Sequence, residues 1–235
     1  MNINLLIQEI TKTSDNKIAG IIISGSYKPE DFIKGWSDID LFIVLKQIPD
    51  KVQRKIIQIC NTFGCDNDVH IGLSFLSLEE YVSNDPQKTY YKALLMKHGF
   101  YTGATVILYG NLQPQTVNWK LYKQGLLSEI NFFKAFMRNG QRDLEETELE
   151  MRSIKCLNHI LYASLLFKNP SYSYPKPTKE ALLKYFGDFT RDWDILDKIT
   201  GWKQNIRKQK KASKISTNLI NFAENFLIYF FNKHV

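Results

Sequence analysis

The sequence predicts two regions of different architecture: an α/β or α+β layer arrangement in residues 1–112 and an all-α helical bundle in residues 113–235. Up to residue 112, short runs of β-branched and aromatic residues alternate with segments of helical spacing. Beyond Pro114 strand patterns nearly vanish, and long helical patterns follow one another. A chain of 235 residues is long enough for two domains of modest size.

Four strands and four helices are predicted in the first region. The strands are Ile18–Ile23, Ile39–Leu45, Val69–Phe75 and Thr105–Gly110, because each is a short apolar run bounded by turn residues. The helices are Leu5–Thr11, Lys51–Phe63 ending at Gly64, a helix beginning with Leu78–Val82, and Tyr90–His98 ending at Gly99.

The second region predicts helices that pack into a bundle. They are Trp119–Arg138, Leu144–Leu166, Lys179–Phe186, Trp193–Trp202 and Ser216–Phe231. The last of these is apolar over a wide arc, which predicts burial within the bundle or in a homodimer interface.

Composition is that of an ordinary globular protein, with 44% hydrophobic and 23% charged residues. No apolar run approaches the roughly 20 residues that span a bilayer, and the first residues lack the pattern of a signal peptide. The three cysteines, Cys60, Cys65 and Cys156, show no zinc-type pairing and are interpreted as core thiols in a reducing compartment. We therefore expect a cytoplasmic protein with no membrane partner.

Charge is divided unequally along the chain. Residues 1–112 hold 11 basic and 12 acidic residues, a net charge of −1, whereas residues 113–235 hold 20 and 12, a net charge of +8. The stretch 203–214 alone carries six lysines and arginines. A basic surface attracts polyanions such as RNA, although a solvated helix or loop face is the more common reason for such a run.

Asp38 and Asp40 are the residues that first indicate chemistry. They are two apart at the start of a strand, so the alternation of side chains places both carboxylates on one face. Two carboxylates this close are costly unless a cation neutralises them. Mg²⁺ is usually held by one or two carboxylates together with phosphate oxygens and water, which suits a nucleoside triphosphate site.

A second motif precedes this pair. Gly25 and Ser26 follow the strand Ile18–Ile23, where a glycine lets the backbone approach a phosphate and a serine hydroxyl binds phosphate oxygens. An apolar strand, Gly25-Ser26, a loop and Ser37-Asp38-Ile39-Asp40-Leu41 together resemble the signature of the polymerase-β nucleotidyltransferase superfamily. The chain is most similar to small bacterial members, including antibiotic nucleotidyltransferases that join this domain to a helical bundle.

The resemblance implies an α+β fold, with a mixed sheet flanked by helices and followed by the bundle. It also implies transfer of a nucleoside monophosphate from an NTP, ATP above all, to a hydroxyl group with release of pyrophosphate, supported by Mg²⁺ or Mn²⁺. Asp38 and Asp40 would hold the metal. Gly25, Ser26, Lys28 and Ser37 would contact the nucleotide.

One position departs from the family pattern. The family places a third acidic residue on the adjacent strand, where the sequence reads Asp68-Val69-His70, and the inward position is predicted to hold His70. Asp68 is expected on the same strand face two residues earlier, so either Asp68 or His70 is a candidate to replace the third carboxylate as ligand or base.

Three hypotheses about function follow from these residues. In the first, the acceptor is a small hydroxylated molecule such as an antibiotic, although the +8 charge of the second half argues against a cationic aminoglycoside. In the second, the acceptor is RNA, for instance the end of a tRNA, or a protein hydroxyl, as for toxin–antitoxin nucleotidyltransferases. In the third, the chain binds a nucleotide or a partner with weak or no catalysis because the third carboxylate is missing.

Overall fold

The computed structural model describes residues 2–14, 16–25, 38–48, 50–85, 88–139, 146–172, 177–190, 193–199 and 216–235. The basic stretch 203–214 lies outside the described residues. The chain divides into one unit comprising Met1–Tyr122 and a second comprising Lys123–Tyr172 and Lys176–Val235. The domain boundary expected at residues 112–113 stays a prediction.

A mixed sheet of four strands forms the centre of the first unit. The strands are β1 (Ile18–Ser24), β2 (Asp38–Leu45), β3 (His70–Ser77) and β4 (Thr105–Gly110), in the order β3-β2-β1-β4. β1 pairs antiparallel with β2 and with β4, whereas β2 and β3 run parallel. This mixed sheet, with the helices described below, confirms the predicted α+β class.

Helices cover both faces of the sheet. They are α1 (Ile3–Thr13), α2 (Asp50–Asn67), α3 (Leu78–Val82) and α4 (Tyr91–Thr102). On one face α1 and α2 pack against alternate residues of β2, including the fully buried Ile39 and Leu41. On the other face α3 and α4 pack against Phe42 and Val44. The two sets of residues alternate along β2 because successive side chains of a strand point to opposite faces.

Two glycines that were predicted to end helices lie inside them. Helix α2 continues past Gly64 to Asn67, and α4 continues past Gly99 to Thr102. A Cβ at Gly64 would lie 2.7 Å from the carbonyl oxygen of Val69, and one at Gly99 would lie 2.0 Å from Oγ1 of Thr105. Each glycine therefore lets the helix pack closely on the segment that follows it. In the sequence alone, such a glycine looks the same as one that ends a helix.

Helix α4 is fixed on the sheet by polar contacts as well as by its apolar residues. The Tyr90 hydroxyl donates to the carbonyl oxygen of Phe75 at 3.2 Å. Lys97, which is 1% exposed, donates from Nζ to the carbonyl oxygens of Glu80, at 3.1 Å, and of Ser83. The helix that begins beside β3 is thus held at both its first and its second turn.

Helices make up the described part of the second unit. They are α5 (Trp119–Asn139, which begins in the first unit), α6 (Glu146–Lys168), α7 (Lys179–Phe186) and α8 (Ser216–His234), and residues 195–199 are also helical. Buried aromatic side chains from α7, from α8 and from two residues between these helices in the sequence contact one another: Phe186, Phe189, Trp193, Phe222, Phe226 and Phe230. The apolar arc of the last helix is accordingly buried within this unit, and a homodimer interface stays a prediction.

Two of the three cysteines are buried and one is exposed. Cys60 and Cys156 are buried, as predicted for core thiols, and burial raises the pKa of each thiol to about 12. Cys65 is exposed on α2, so the prediction is wrong for that residue. Among the described residues no helix has both the length and the apolar character needed to cross a membrane.

Candidate active site

Asp38 and Asp40 are the first and third residues of β2. They precede the part of this strand that α3 and α4 cover, which begins at Phe42. Their neighbour Ile39 is fully buried on the α1–α2 face. The two carboxylates lie on the opposite face, with side chains that are 37% and 31% exposed. Strand alternation thus brings both acidic groups to one solvent-accessible surface, while the residue between them anchors the strand in the core.

Gly25 lies directly beside this pair. It follows β1 with a φ of +84°, in the left-handed region that favours glycine. A Cβ there would lie 2.9 Å from Oδ2 of Asp40, so the glycine also leaves room for that carboxylate. The preceding residue, Ser24, pairs with Asp40 in the sheet, and its hydroxyl hydrogen-bonds that of Thr105 at 2.8 Å. Gly25 therefore follows β1 in close contact with the Asp40 carboxylate.

His70 belongs to the same surface. It is the first residue of β3 and pairs with Asp38 in the parallel register. Its Nδ1 lies 3.6 Å from Oδ1 of Asp38, and its side chain is 75% exposed. The structure therefore brings His70 beside the carboxylate pair.

Asp68 is placed differently from the expectation. It precedes β3 with a φ of +52°. Its N–H donates to the carbonyl oxygen of Cys65, and the N–H of Val69 donates to the carbonyl oxygen of Gly64. These two hydrogen bonds form a Schellman motif, which ends α2. The expectation that Asp68 shares a strand face with His70 is wrong, because the left-handed residue that ends a helix is not part of the following strand.

Gly72 occupies the position opposite Asp40 in the β2–β3 register. A Cβ there would lie 2.6 Å from Oδ1 of Asp40 and 3.6 Å from Nζ of Lys92. β3 therefore places no side chain next to Asp40.

Lys92, from α4, reaches into this gap and contributes a group that the sequence did not reveal. Its Nζ lies 2.8 Å from Oδ1 of Asp40, and its side chain is 44% exposed. The same ammonium lies 5.6 Å from the centroid of the Phe42 ring. A lysine 52 residues after Asp40 in the sequence carries no pattern that links it to the aspartates, so only the packing of α4 on the sheet identifies it.

The hydroxyl of Tyr90 adds no charge at this end of the sheet. Burial raises the pKa of its hydroxyl to about 12, although a hydrogen bond with Ser74 acts in the opposite direction. The hydroxyl is therefore neutral at physiological pH and donates to the Phe75 carbonyl. Its role is to hold the start of α4, and with it Lys92, against β3.

The donor set suits a hard divalent cation that is only partly held by protein. Two partly exposed carboxylates share one surface, and Mg²⁺ takes one or two carboxylates with phosphate oxygens and water. Within the described residues no group of three or more His, Cys, Asp or Glu side chains is positioned to hold a metal. The described residues thus fit a cation whose coordination is completed by a nucleotide, and among themselves they do not form an all-protein cage.

Three predicted nucleotide-binding residues, Ser26, Lys28 and Ser37, lie outside the described residues. Their roles stay predictions. They belong to residues 26–37, which join β1 to β2 between Gly25 and Asp38.

A known domain family matches the part of the chain that holds these residues. Residues 6–86 match the family model of the nucleotidyltransferase domain. That segment contains Gly25, Asp38, Asp40, His70 and Gly72. No curated protein matches the sequence.

Solved structures extend the comparison to the whole chain. Spectinomycin adenyltransferase AAD(9) from Enterococcus faecialis, crystallised with ATP and spectinomycin, is 15% identical, with a TM-score of 0.65 over 98% of each chain. At this identity the similarity concerns the fold. A mutant of the toxin–antitoxin complex MntA–HpeT is 16% identical over 59% of this chain and 94% of its own, with a TM-score of 0.34, which supports no inference. Residues 6–86 therefore match a nucleotidyltransferase domain, and the predicted resemblance to nucleotidyltransferases is confirmed for that segment.

Proposed function

We propose that this protein transfers a nucleoside monophosphate from ATP to a hydroxyl group and releases pyrophosphate. The observation that carries the proposal is the pair of partly exposed carboxylates, Asp38 and Asp40, beside the left-handed turn at Gly25. A nucleotidyltransferase domain covers all three residues.

Asp38 and Asp40 are the proposed ligands of Mg²⁺ or Mn²⁺. When bound, such a cation stabilises the charge that develops on the α-phosphate and on the leaving oxygen. The backbone of Gly25 would contact the triphosphate, since a residue without a Cβ lets phosphate oxygens approach the chain closely. Ser26, Lys28 and Ser37 remain proposed partners of the nucleotide.

His70 is the proposed proton acceptor. Its Nδ1 faces Asp38, so Nε2 is the ring nitrogen that remains available to a substrate. The acceptor hydroxyl would give its proton to Nε2 while its oxygen forms a bond to the α-phosphorus. The bond from that phosphorus to the bridging oxygen breaks, and pyrophosphate leaves with the electron pair. Asp68 is not assigned a role in this step, because it ends α2 outside the strand.

A small hydroxylated molecule is the proposed acceptor. The supporting observation is that the similarity to spectinomycin adenyltransferase covers 98% of both chains, including the helical half, and that this relative was crystallised with ATP and an antibiotic. The +8 net charge of residues 113–235 favours an acceptor without several positive charges. The same charge supports RNA as a second candidate, since phosphate contacts dominate the affinity of proteins for RNA.

A transfer assay with labelled nucleotides tests the proposal. The full chain is incubated with Mg²⁺ or Mn²⁺, with each α-labelled NTP in turn, and with a panel of aminocyclitol and other hydroxylated antibiotics, tRNA and protein. We expect label from ATP to move to a small acceptor. The matched control is Asp197→Asn, which removes an exposed aspartate that pairs with Lys179 at 3.0 Å and lies outside residues 6–86 of the sequence.

The outcomes separate the hypotheses. Label on tRNA and not on a small molecule would assign RNA as the acceptor. Bound ATP with no transfer to any acceptor would contradict the enzymatic proposal and favour a nucleotide-binding role. Equal loss of transfer in Asp197→Asn and Asp40→Asn would show that charge removal as such, and not the β2 pair, abolishes activity.

A further inference from the structure

Lys92 makes a close ion pair with one of the two proposed metal ligands. Its Nζ is 2.8 Å from Oδ1 of Asp40, whereas Asp38 has the imidazole of His70 beside it, with Nδ1 3.6 Å from Oδ1. The positive charge of Lys92 therefore lies against a carboxylate oxygen to which a divalent cation would bind. A divalent cation bound to the same carboxylate would be repelled by this ammonium, because like charges repel at short range.

The sequence of β3 leaves room for this ion pair. Gly72 lies opposite Asp40, and a Cβ there would lie 2.6 Å from Oδ1 of Asp40 and 3.6 Å from Nζ of Lys92, so a side chain would push the carboxylate away from its present position. The Phe42 ring, two residues along β2 on the same face, lies 5.6 Å from Nζ and attracts the cation through its π-electrons. Strand β3 thus leaves a space beside Asp40, and α4 places the ammonium of Lys92 there.

The position of Lys92 in α4 indicates that this charge is held by its partner. It is the second residue of the helix, where the positive end of the helix dipole disfavours a cation. Its side chain is 44% exposed, so the ammonium is able to leave Asp40 for solvent at little cost. An ion pair that is close but exposed is suited to exchange.

We propose that Lys92 is the resident counter-ion of Asp40, and that a divalent cation displaces its ammonium in order to bind this carboxylate. The inference rests on the proposed function, since it takes Asp40 to be a metal ligand. Lys92 then lowers the affinity of the nucleotide-free site for a metal ion, so the ion binds well only when it arrives with a triphosphate that supplies further oxygen ligands.

The test is the affinity for Mn²⁺ in the absence of nucleotide, measured by the electron paramagnetic resonance signal of free Mn²⁺. Full-length native protein is compared with Lys92→Met, Lys92→Gln and Lys92→Arg. The matched control is Lys88→Met, which removes a lysine that pairs with Glu79 at 3.8 Å. We expect the Mn²⁺ dissociation constant to fall about fivefold in Lys92→Met and Lys92→Gln, equivalent to about 1 kcal/mol. It stays near the native value in Lys92→Arg and Lys88→Met.

Unchanged or weaker Mn²⁺ binding in both neutral variants of Lys92 would overturn the inference, as would an equal gain in Lys88→Met. The use of two neutral variants, each checked for native far-ultraviolet circular dichroism, keeps the test decisive if one fails to fold. Transfer activity of the native protein is measured on the same preparations. Tighter Mn²⁺ binding without any transfer contradicts only the enzymatic function, whereas transfer without tighter binding contradicts only the role of Lys92.

Discussion

The two faces of β2 contrast sharply. On the α1–α2 face, Ile39 and Leu41 are fully buried at the same end of the strand where, on the other face, Asp38 and Asp40 are partly exposed. On the second face the apolar cover of α3 and α4 begins only at Phe42. One short segment therefore holds the sheet together through alternate residues and presents charged groups through the others. We infer that stability and chemistry in this domain are divided by face, and not by segment.

Leu41→Ala tests the buried face and is expected to have the largest effect on stability. Leu41 is fully buried between the sheet and the α1–α2 layer, so truncation leaves a cavity and lowers the free energy of unfolding by about 2–5 kcal/mol. Urea denaturation followed by circular dichroism measures this loss. The matched control is Leu5→Ala, at a leucine of α1 that is 59% exposed, where the loss stays below about 0.5 kcal/mol. Similar losses in both variants would contradict the assignment of Leu41 to the core.

Lys97 tests the covered part of the second face. Burial lowers its pKa to about 8, from an ordinary value of 10.5. A lysine with a depressed folded pKa contributes stability above its unfolded pKa and loses it as the pH falls to the folded value. The free energy of unfolding, relative to Lys97→Met, is therefore expected to rise by up to about 3 kcal/mol between pH 8 and 10.5. A flat difference over this range, measured by urea denaturation, would show that the ammonium is not desolvated.

His70→Ala tests the exposed part of the second face. If His70 accepts the proton of the acceptor hydroxyl, its removal lowers kcat about 100-fold, the lower end of the range for general acid–base catalysis. The free energy of unfolding changes by less than about 0.5 kcal/mol, because the side chain is 75% exposed. Steady-state kinetics of His70→Ala and His70→Glu provide the measurement. Unchanged kcat in both variants would make His70 a structural residue.

Gly72→Ala tests whether the gap opposite Asp40 matters. The added Cβ lies 2.6 Å from Oδ1 of Asp40, so the carboxylate has to turn away. Transfer is expected to fall about tenfold, a modest case of the loss caused by misplaced catalytic groups. Stability changes little, since the obstructed atom is the end of a side chain. Measurement of kcat/KM and of urea denaturation on one preparation decides this; lost stability with retained activity would reverse the interpretation.

The sequence was most informative where its pattern is periodic or local. Strand alternation was enough to place Asp38 and Asp40 on one face, and the β-branched run before Gly25 was enough to predict β1. The helix ends predicted at Gly64 and Gly99 are wrong. A glycine is needed at each position because another segment approaches the helix closely there. Lys92 was not predicted, since its contact with Asp40 depends on how α4 packs across the sheet.

Asp68 illustrates the same limit at the site itself. From the sequence, an aspartate two residues before His70 has the spacing of a strand neighbour. In the structure its backbone is left-handed and ends α2. A non-glycine residue in that conformation is uncommon, and nothing in the residues 68–70 alone distinguishes it from an extended one.

Asp40→Asn provides the most direct test of the division between the two faces, if pyrophosphate release and urea denaturation are measured on the same preparation. The substitution keeps the shape of the side chain and removes the charge that would hold the cation. We predict that pyrophosphate release from ATP falls at least about 1000-fold, on the scale of losing a group that stabilises the transition state. The free energy of unfolding should stay within about 1 kcal/mol of the native value, because the pair with Lys92 is partly exposed. Retained activity, or a loss of stability as large as that of Leu41→Ala, would contradict the proposal that the exposed face of β2 serves chemistry and its buried face serves the fold.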